Sequence, residues 1–494
     1  MKLRDLLLLS VAFCTVAICH AQKIDTSKSR NEMDKFVQSM TDDFNNFRRQ
    51  SMKQFAEFVK KPWKEFEETK PVTKPTLPPI PPVIMDDDKG DLVEDKPIII
   101  EEVVNPVIDE PQPQPQPVEP IKEVPVDTLS YLNFTFFGTS DKVRLNKDNL
   151  PILQKVDERS VSVMLQELST DENDNLILDC LDIRKKRKLC DWAYLQMLNI
   201  VANEAYPGKS NEAQLLMAYL YLQSGYKMRL ASDGSKIYML YASKHQIYEM
   251  SSFAVDGDSY YGVDKLPDRL YICQFSFPNE ESLSLLVNTN QLLAFNKSDN
   301  RCISSERYPS MKLDVSVNKN LLDFYSTYPT SALDGNILTR WAMYANTPMD
   351  NNISSLLYPK LQELLKDKSE FEATNMLLNT LQTGLIYEYD DKVWGSDRAF
   401  FSEESLFYPY CDCEDRAILL TRLVRDVLGL NCLLVYYPGH LAAAIEYSDS
   451  SVKGDYITLD GSKYIIADPT YINAPIGCSM PGLDNVTAKV IKLN

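Results

Sequence analysis

Between Pro71 and Val126 the chain places 14 of its 28 prolines, and only one of its 16 glycines, in 56 residues. Proline has no backbone N–H and cannot sit inside a helix or a central strand, so this stretch cannot belong to the interior of either. It divides the chain. The tract holds 12 acidic and 4 basic residues and includes the run Pro111-Gln-Pro-Gln-Pro-Gln-Pro117. Polyproline geometry at about 3.1 Å per residue, stiffened by self-repulsion, predicts a disordered acidic spacer reaching up to about 170 Å. A docking ligand for another domain is the alternative use of such a tract.

Ahead of it, Met1 to Ala21 has a charged start (Lys2, Arg4), an apolar run from Leu6 to Ile18, and small residues before Gln22. This reads as a cleaved export signal, too short to span a bilayer. Phe13 precedes Cys14 and Ile18 precedes Cys19, so neither cysteine has the small neighbour of a lipid attachment site. The expectation is a periplasmic or secreted protein without a stable membrane span. Residues 22–70 follow. There Met33, Phe36, Met40, Phe44, Phe47, Ser51, Phe55, Phe58, Pro62 and Phe66 recur at steps of three, four and four. That eleven-residue period predicts an amphipathic helical stalk, kinked at Pro62, that self-associates as a coiled coil, docks a partner, or lies on the protein's own globular part.

The charge excludes one partner class. The formal net charge is −18, of which the spacer carries −8 and residues 127–494 carry −13. An acidic surface disfavours phosphate, so nucleic acid is not an expected partner. Histidine is scarcer still. Of three, His20 leaves with the signal, and only His245 and His440 remain. Two histidines and no Cys-x-x-Cys pair offer no metal site of recognised spacing, so neither a metal nor another cofactor is expected.

Residues 127–494 mix helical and strand patterns, an α+β class. Helical spacing covers 192–202, 211–223, 371–387 and 414–428; strand patterns cover 236–241, 430–437, 441–447, 455–459 and 463–467. Two segments match each other. Ala213 is followed by Gly225, and Ala417 by Gly429, each twelve residues on and each closing a helix that leads into a strand. This suggests a degenerate duplication, with residues 127–270 as an earlier copy, 271–370 as a connecting α/β region and 371–494 as the later copy. Cys413 then lies opposite Lys209 and His440 opposite Lys236, so the first copy carries no nucleophile and no base. Chance likeness between two amphipathic helices is the competing explanation.

The chemistry concentrates in the later copy. Tyr410-Cys-Asp-Cys413-Glu-Asp-Arg-Ala puts a cysteine at the mouth of an amphipathic helix, where backbone N–H groups favour a thiolate. Cys413 is in register with Ala417, Leu420 and Val424, so its sulfur points toward the sheet; Cys411 precedes the helix. Pro438-Gly-His440 opens one strand and Asp468 closes another. An antiparallel pairing of those two strands brings the imidazole to the carboxylate. The strand Asp455 to Leu459 lies between them in sequence, so the pairing requires the last strand to join the first directly. An exported chain with eight cysteines also allows disulfides, with Cys180–Cys190, Cys273–Cys302 and Cys432–Cys478 as candidate pairs.

Cys413 with Glu-Asp-Arg-Ala, the stretch Leu423-Val-Arg-Asp-Val-Leu-Gly429, Gly439-His440 and Asp468-Pro-Thr together resemble the core of the transglutaminase-like superfamily of papain-fold cysteine enzymes. The resemblance covers about residues 371–494. It implies Cys413 as nucleophile, His440 as general base and acid, and Asp468 as the residue orienting the imidazole. It also implies a protein or peptide substrate, and bacterial members are more often amide or peptide hydrolases than cross-linkers. The whole arrangement of stalk, spacer and core resembles uncharacterised secreted bacterial proteins. The indole N–H of Trp394 is the candidate second donor to the oxyanion. The main alternatives are an inactive transglutaminase-like binding or assembly module on a helical stalk, and a protein cross-linking transglutaminase.

Overall fold

The computed structural model describes residues 50–75, 79–85, 94–106, 121, 123–124, 130–277, 279–483 and 488–494. The export signal, the stalk up to residue 49 and the run Pro111–Pro117 lie outside the described residues. The described chain is α+β and is organised by two sheets.

The first sheet has six antiparallel strands in the order Lys64–Glu67, Arg269–Ile272, Met228–Ser232, Ile237–Ala242, Asp258–Gly262, Ser252–Val255. The second has seven, in the order Glu102–Val104, Lys489–Lys492, Cys432–Tyr437, His440–Glu446, Ser462–Ala467, Asp455–Leu459, Lys96–Pro97. Each centre is a hairpin entered from a helix, Ser210–Gln223 in one and Cys413–Leu423 in the other. In each, the following hairpin joins through its second strand and the last strand returns to pair with the first. The connectivity of these five strands is therefore the same in both. Ser210 and Ile237 begin the helix and strand that Cys413 and His440 begin in the second unit.

Local sequence fixes the second unit. Ser369 accepts from the Glu372 N–H, and Glu372 accepts in return from the Ser369 N–H, a reciprocal cap that starts the helix Glu370–Gly384. Gly429, at φ 69°, ends the helical run begun at Cys413. Gly439, at φ 81°, permits the two-residue turn that makes His440 the first residue of its strand. Ala443, Ile445, Ile465 and Ala467 pack with Leu377, Leu381, Leu420 and Leu423 of the two helices. Val435, Ala442, Ala444 and Ile466 turn to the opposite face.

Three organisational expectations are corrected. The tract 71–126 is not a detached disordered spacer in its described part: Lys96–Pro97 and Glu102–Val104 form both edges of the second sheet, and Ile98 covers its outer face. Edge strands tolerate proline because one side of the strand needs no ladder. Of the stalk's described residues, 50–59 are a helix but Lys64–Glu67 is a strand of the first sheet rather than the helix expected through residue 70. Met52, Phe55 and Val59 are buried, the Phe55 ring 5.3 Å from Phe275 and Phe277, so this part takes the alternative of lying on the protein's own core. The boundary at 371 also divides one core, since Ile303, Leu313 and Leu357 pack with Leu377 and Leu420. Among the described residues no helix is long and apolar enough to cross a membrane.

Candidate active site

The strand Ser462–Ala467 pairs directly with His440–Glu446, Ala443 opposite Ala467, and Asp455–Leu459 is displaced to the outer side. This is the arrangement that the sequence required. It places His440 Nε2 2.9 Å from Asp468 Oδ2, with each residue 2% exposed. Asp468 Oδ1 accepts from the N–H groups of Thr470 and Tyr471 at 2.9 and 3.3 Å, which fixes the carboxylate. His440 Nδ1 is buried and makes no hydrogen bond among the described residues.

Cys413 is the first residue of its helix and is 3% exposed. It lines, together with His440, a cleft of about 690 Å³. The helix start does not lower its thiol pKa as expected. Burial pushes the thiol well above its usual value, the Glu414 and Asp412 carboxylates push it further, and the Leu441 N–H acts in the opposite direction. The sulfur is 3.3 Å from Glu414 Oε2. Asp415 holds the helix start instead: it accepts from the Phe400 N–H at 2.8 Å and the Asp412 N–H at 3.3 Å.

Two long polar side chains set the relation between helix and acid. Arg416, 1% exposed, donates to the carbonyls of Leu385, Pro469 and Gln382 at 2.9, 3.2 and 3.3 Å. Gln382 donates to the carbonyls of Tyr471, Asp468 and Ala474 at 2.7, 3.1 and 3.1 Å. The turn after Asp468 is thereby fastened to both helices.

Trp394 is not part of this constellation. Its ring packs on Phe400, Tyr408 and the Arg398 guanidinium, at 5.6, 4.7 and 5.1 Å between centres, and it does not line the cleft. The indole that does is Trp341, stacked on Tyr436 at 5.3 Å, whose Nε1 is buried without an acceptor. Arg340 is also part of the cleft wall and pairs with Asp397 at 2.7 Å and Glu414 at 3.5 Å. These residues come from a region with no motif in the sequence.

Cys411 is buried in a short parallel pairing with Tyr387, its thiol pushed up to about 11 by burial. All eight cysteines of residues 22–494 are free thiols, so none of the three candidate disulfides forms. His245 is buried and neutral, its pKa pushed down to about 3 by burial. A larger, open groove of about 1390 Å³ runs along the hairpin Tyr131–Arg144 but is lined by neither cysteine nor histidine. The sequence matches no protein-family model and none of the curated proteins.

Proposed function

We propose that the protein is a cysteine hydrolase of the transglutaminase-like type, exported from the cell and acting on amide, peptide or isopeptide bonds. The observation that carries this reading is the buried 2.9 Å pair of His440 Nε2 and Asp468 Oδ2, which leaves Nδ1 without a hydrogen bond among the described residues, in a histidine that lines the same cleft as Cys413. A surface histidine satisfied by backbone would have no reason to be held this way. The Cys413 sulfur gives its proton to His440 and attacks the substrate carbonyl carbon, forming a C–S bond. His440 returns the proton to the leaving nitrogen as the C–N bond breaks. Water then adds to the thioester, its proton passing to His440, and the C–S bond breaks to release the acid and restore the thiol. Trp341 Nε1–H and the backbone N–H groups beside Cys413 are the donors this reading assigns to the oxyanion.

The inactive-module reading has one observation in its favour: Cys413 is 3% exposed and its thiol is pushed upward by burial and by Glu414. Incubation with glutamine-containing peptides, with and without a primary amine, separates the readings. Hydrolysis that disappears in Cys413→Ser supports the hydrolase, amine incorporation supports cross-linking, and turnover that survives Cys413→Ser removes the cysteine from the chemistry.

A further inference from the structure

The cleft around Cys413 and His440 is lined in part by the chain's own proline-rich segment, through Thr73, Lys74, Pro75 and Pro79. The segment is tied down at both ends. Upstream, the Thr69 N–H donates to the Ser252 carbonyl at 2.7 Å and the Glu249 N–H to the Val72 carbonyl at 3.1 Å, both on the first unit. Downstream, the Ile80 N–H donates at 3.0 Å to the carbonyl of Gly439, the residue before His440. Val83 and Ile84 then pair in parallel with Tyr471 and Ile472, just beyond Asp468. The segment thus touches the backbone beside both His440 and Asp468.

Between these anchors Lys74 enters the cleft. It is 8% exposed, its ammonium pairs with Asp397, and its own N–H donates to Glu249 Oε1 at 3.0 Å. Taking an ammonium out of water costs several kcal/mol unless it meets a well-placed charge, so the pairing sets the position of Lys74. The cleft wall carries Glu249, Asp390, Asp391, Asp397, Asp412 and Glu414, and besides Lys74 its only Lys or Arg among the described residues is Arg340. Asp412 Oδ1 is buried with no hydrogen-bond partner among the described residues. Burial pushes Asp390, Asp412 and Glu414 toward their neutral forms, whereas Arg340 and Lys74 hold Asp397 charged despite its burial. Without Lys74, Asp397 keeps Arg340 as its one cationic partner among the described residues, and another cationic side chain can take the vacated place.

We infer that this cleft is a recognition site for an extended chain bearing a lysine or arginine side chain, held on Asp397, and that residues 72–75 and 79–85 are its resting occupant. The inference rests on the reading of Cys413 as the nucleophile for its functional meaning, but the occupancy is tested separately. The basic side chain is recognised rather than consumed, because its ammonium is engaged by Asp397. A substrate must displace the segment, so its apparent affinity is lowered by the fraction of molecules that are open.

The test is alkylation of Cys413 by iodoacetamide in the full chain, followed by peptide mass mapping to separate it from the other thiols. Lys74→Glu is expected to speed labelling at least about tenfold, through the larger open population. A free peptide of residues 70–85 is expected to restore slow labelling in that variant, and the same peptide carrying Lys74→Glu to fail. Ile80→Pro, which removes the donor to Gly439, is the second variant and is expected to act in the same direction should Lys74→Glu not fold. Folded variants that label at the wild-type rate, or equal protection by both peptides, overturn the inference. Adding His440→Ala to the Lys74→Glu chain reads the nucleophile independently: loss of His440 dependence counts against the catalytic reading, and loss of Lys74 dependence against the occupied cleft.

Discussion

Arg416 donates to the carbonyl oxygen of Pro469 across 3.2 Å, joining the helix that begins at Cys413 to the residue that follows Asp468. One buried side chain thereby couples the position of the nucleophile to that of the acid. Arg416→Met keeps much of the volume but leaves the carbonyls of Gln382, Leu385 and Pro469 without this donor. We predict a loss of about 3 kcal/mol in urea unfolding, the usual cost of stripping several buried acceptors. An unchanged midpoint would mean that the three bonds carry no net stability.

Asp468 has two separable jobs. Asp468→Asn keeps an oxygen for the Thr470 and Tyr471 N–H groups but presents no charge to the imidazole. Acylation of Cys413 by a nitrophenyl ester should fall by about 10³–10⁴ with the melting temperature nearly unchanged. Asp468→Ala should lower both. Equal acylation by Asp468→Asn and wild type would reduce the aspartate to a turn residue.

The two tryptophans give opposite expectations. Trp341→Phe keeps the stack on Tyr436 and removes the N–H of the one tryptophan that lines the cleft among the described residues, and the acylation rate should fall by about 10²-fold with folding intact. Trp394→Phe should leave acylation unchanged, since that ring packs on Phe400 and Tyr408. The reverse pattern would restore Trp394 as the donor.

Burial also sets a pH dependence of stability. Glu403 and Glu404, each 1% exposed, are both pushed up to about 7 by burial, and Asp390 up to about 8 by burial and the nearby Glu414. A carboxyl whose folded pKa exceeds its unfolded value contributes stability that is complete below the unfolded pKa and is lost as pH rises through the folded one. The melting temperature should therefore fall between pH 5 and pH 8, and Glu403→Gln should flatten the decline. A melting temperature that rises across this interval would contradict these assignments.

What the sequence disclosed follows from range. Gly429, Gly439 and the apolar strands around His440 are local signals, and they place the helix, the hairpin and the strand pairing that unites His440 with Asp468. Lys74 and Asp397 meet across 323 residues, and no periodicity registers a contact of that kind. The proline-rich tract misled for a physical reason. Its composition excludes helices and central strands, but Pro97 sits in an edge strand, where a missing N–H costs little. The thiol misled similarly: a helix start favours a thiolate, and burial beside Glu414 outweighs it.

The central claim is that Cys413 is a nucleophile served by His440. When reclosing is fast compared with alkylation, the labelling rate is the open fraction multiplied by the intrinsic reactivity, so the effect of the histidine appears as a ratio whether or not the cleft is covered. The measurement is the iodoacetamide rate at Cys413 near neutral pH in wild type, His440→Ala and the shape-keeping His440→Gln. The account predicts that both substitutions slow labelling at least about tenfold, within the range of a lost general base. Equal rates in all three folded proteins would contradict it.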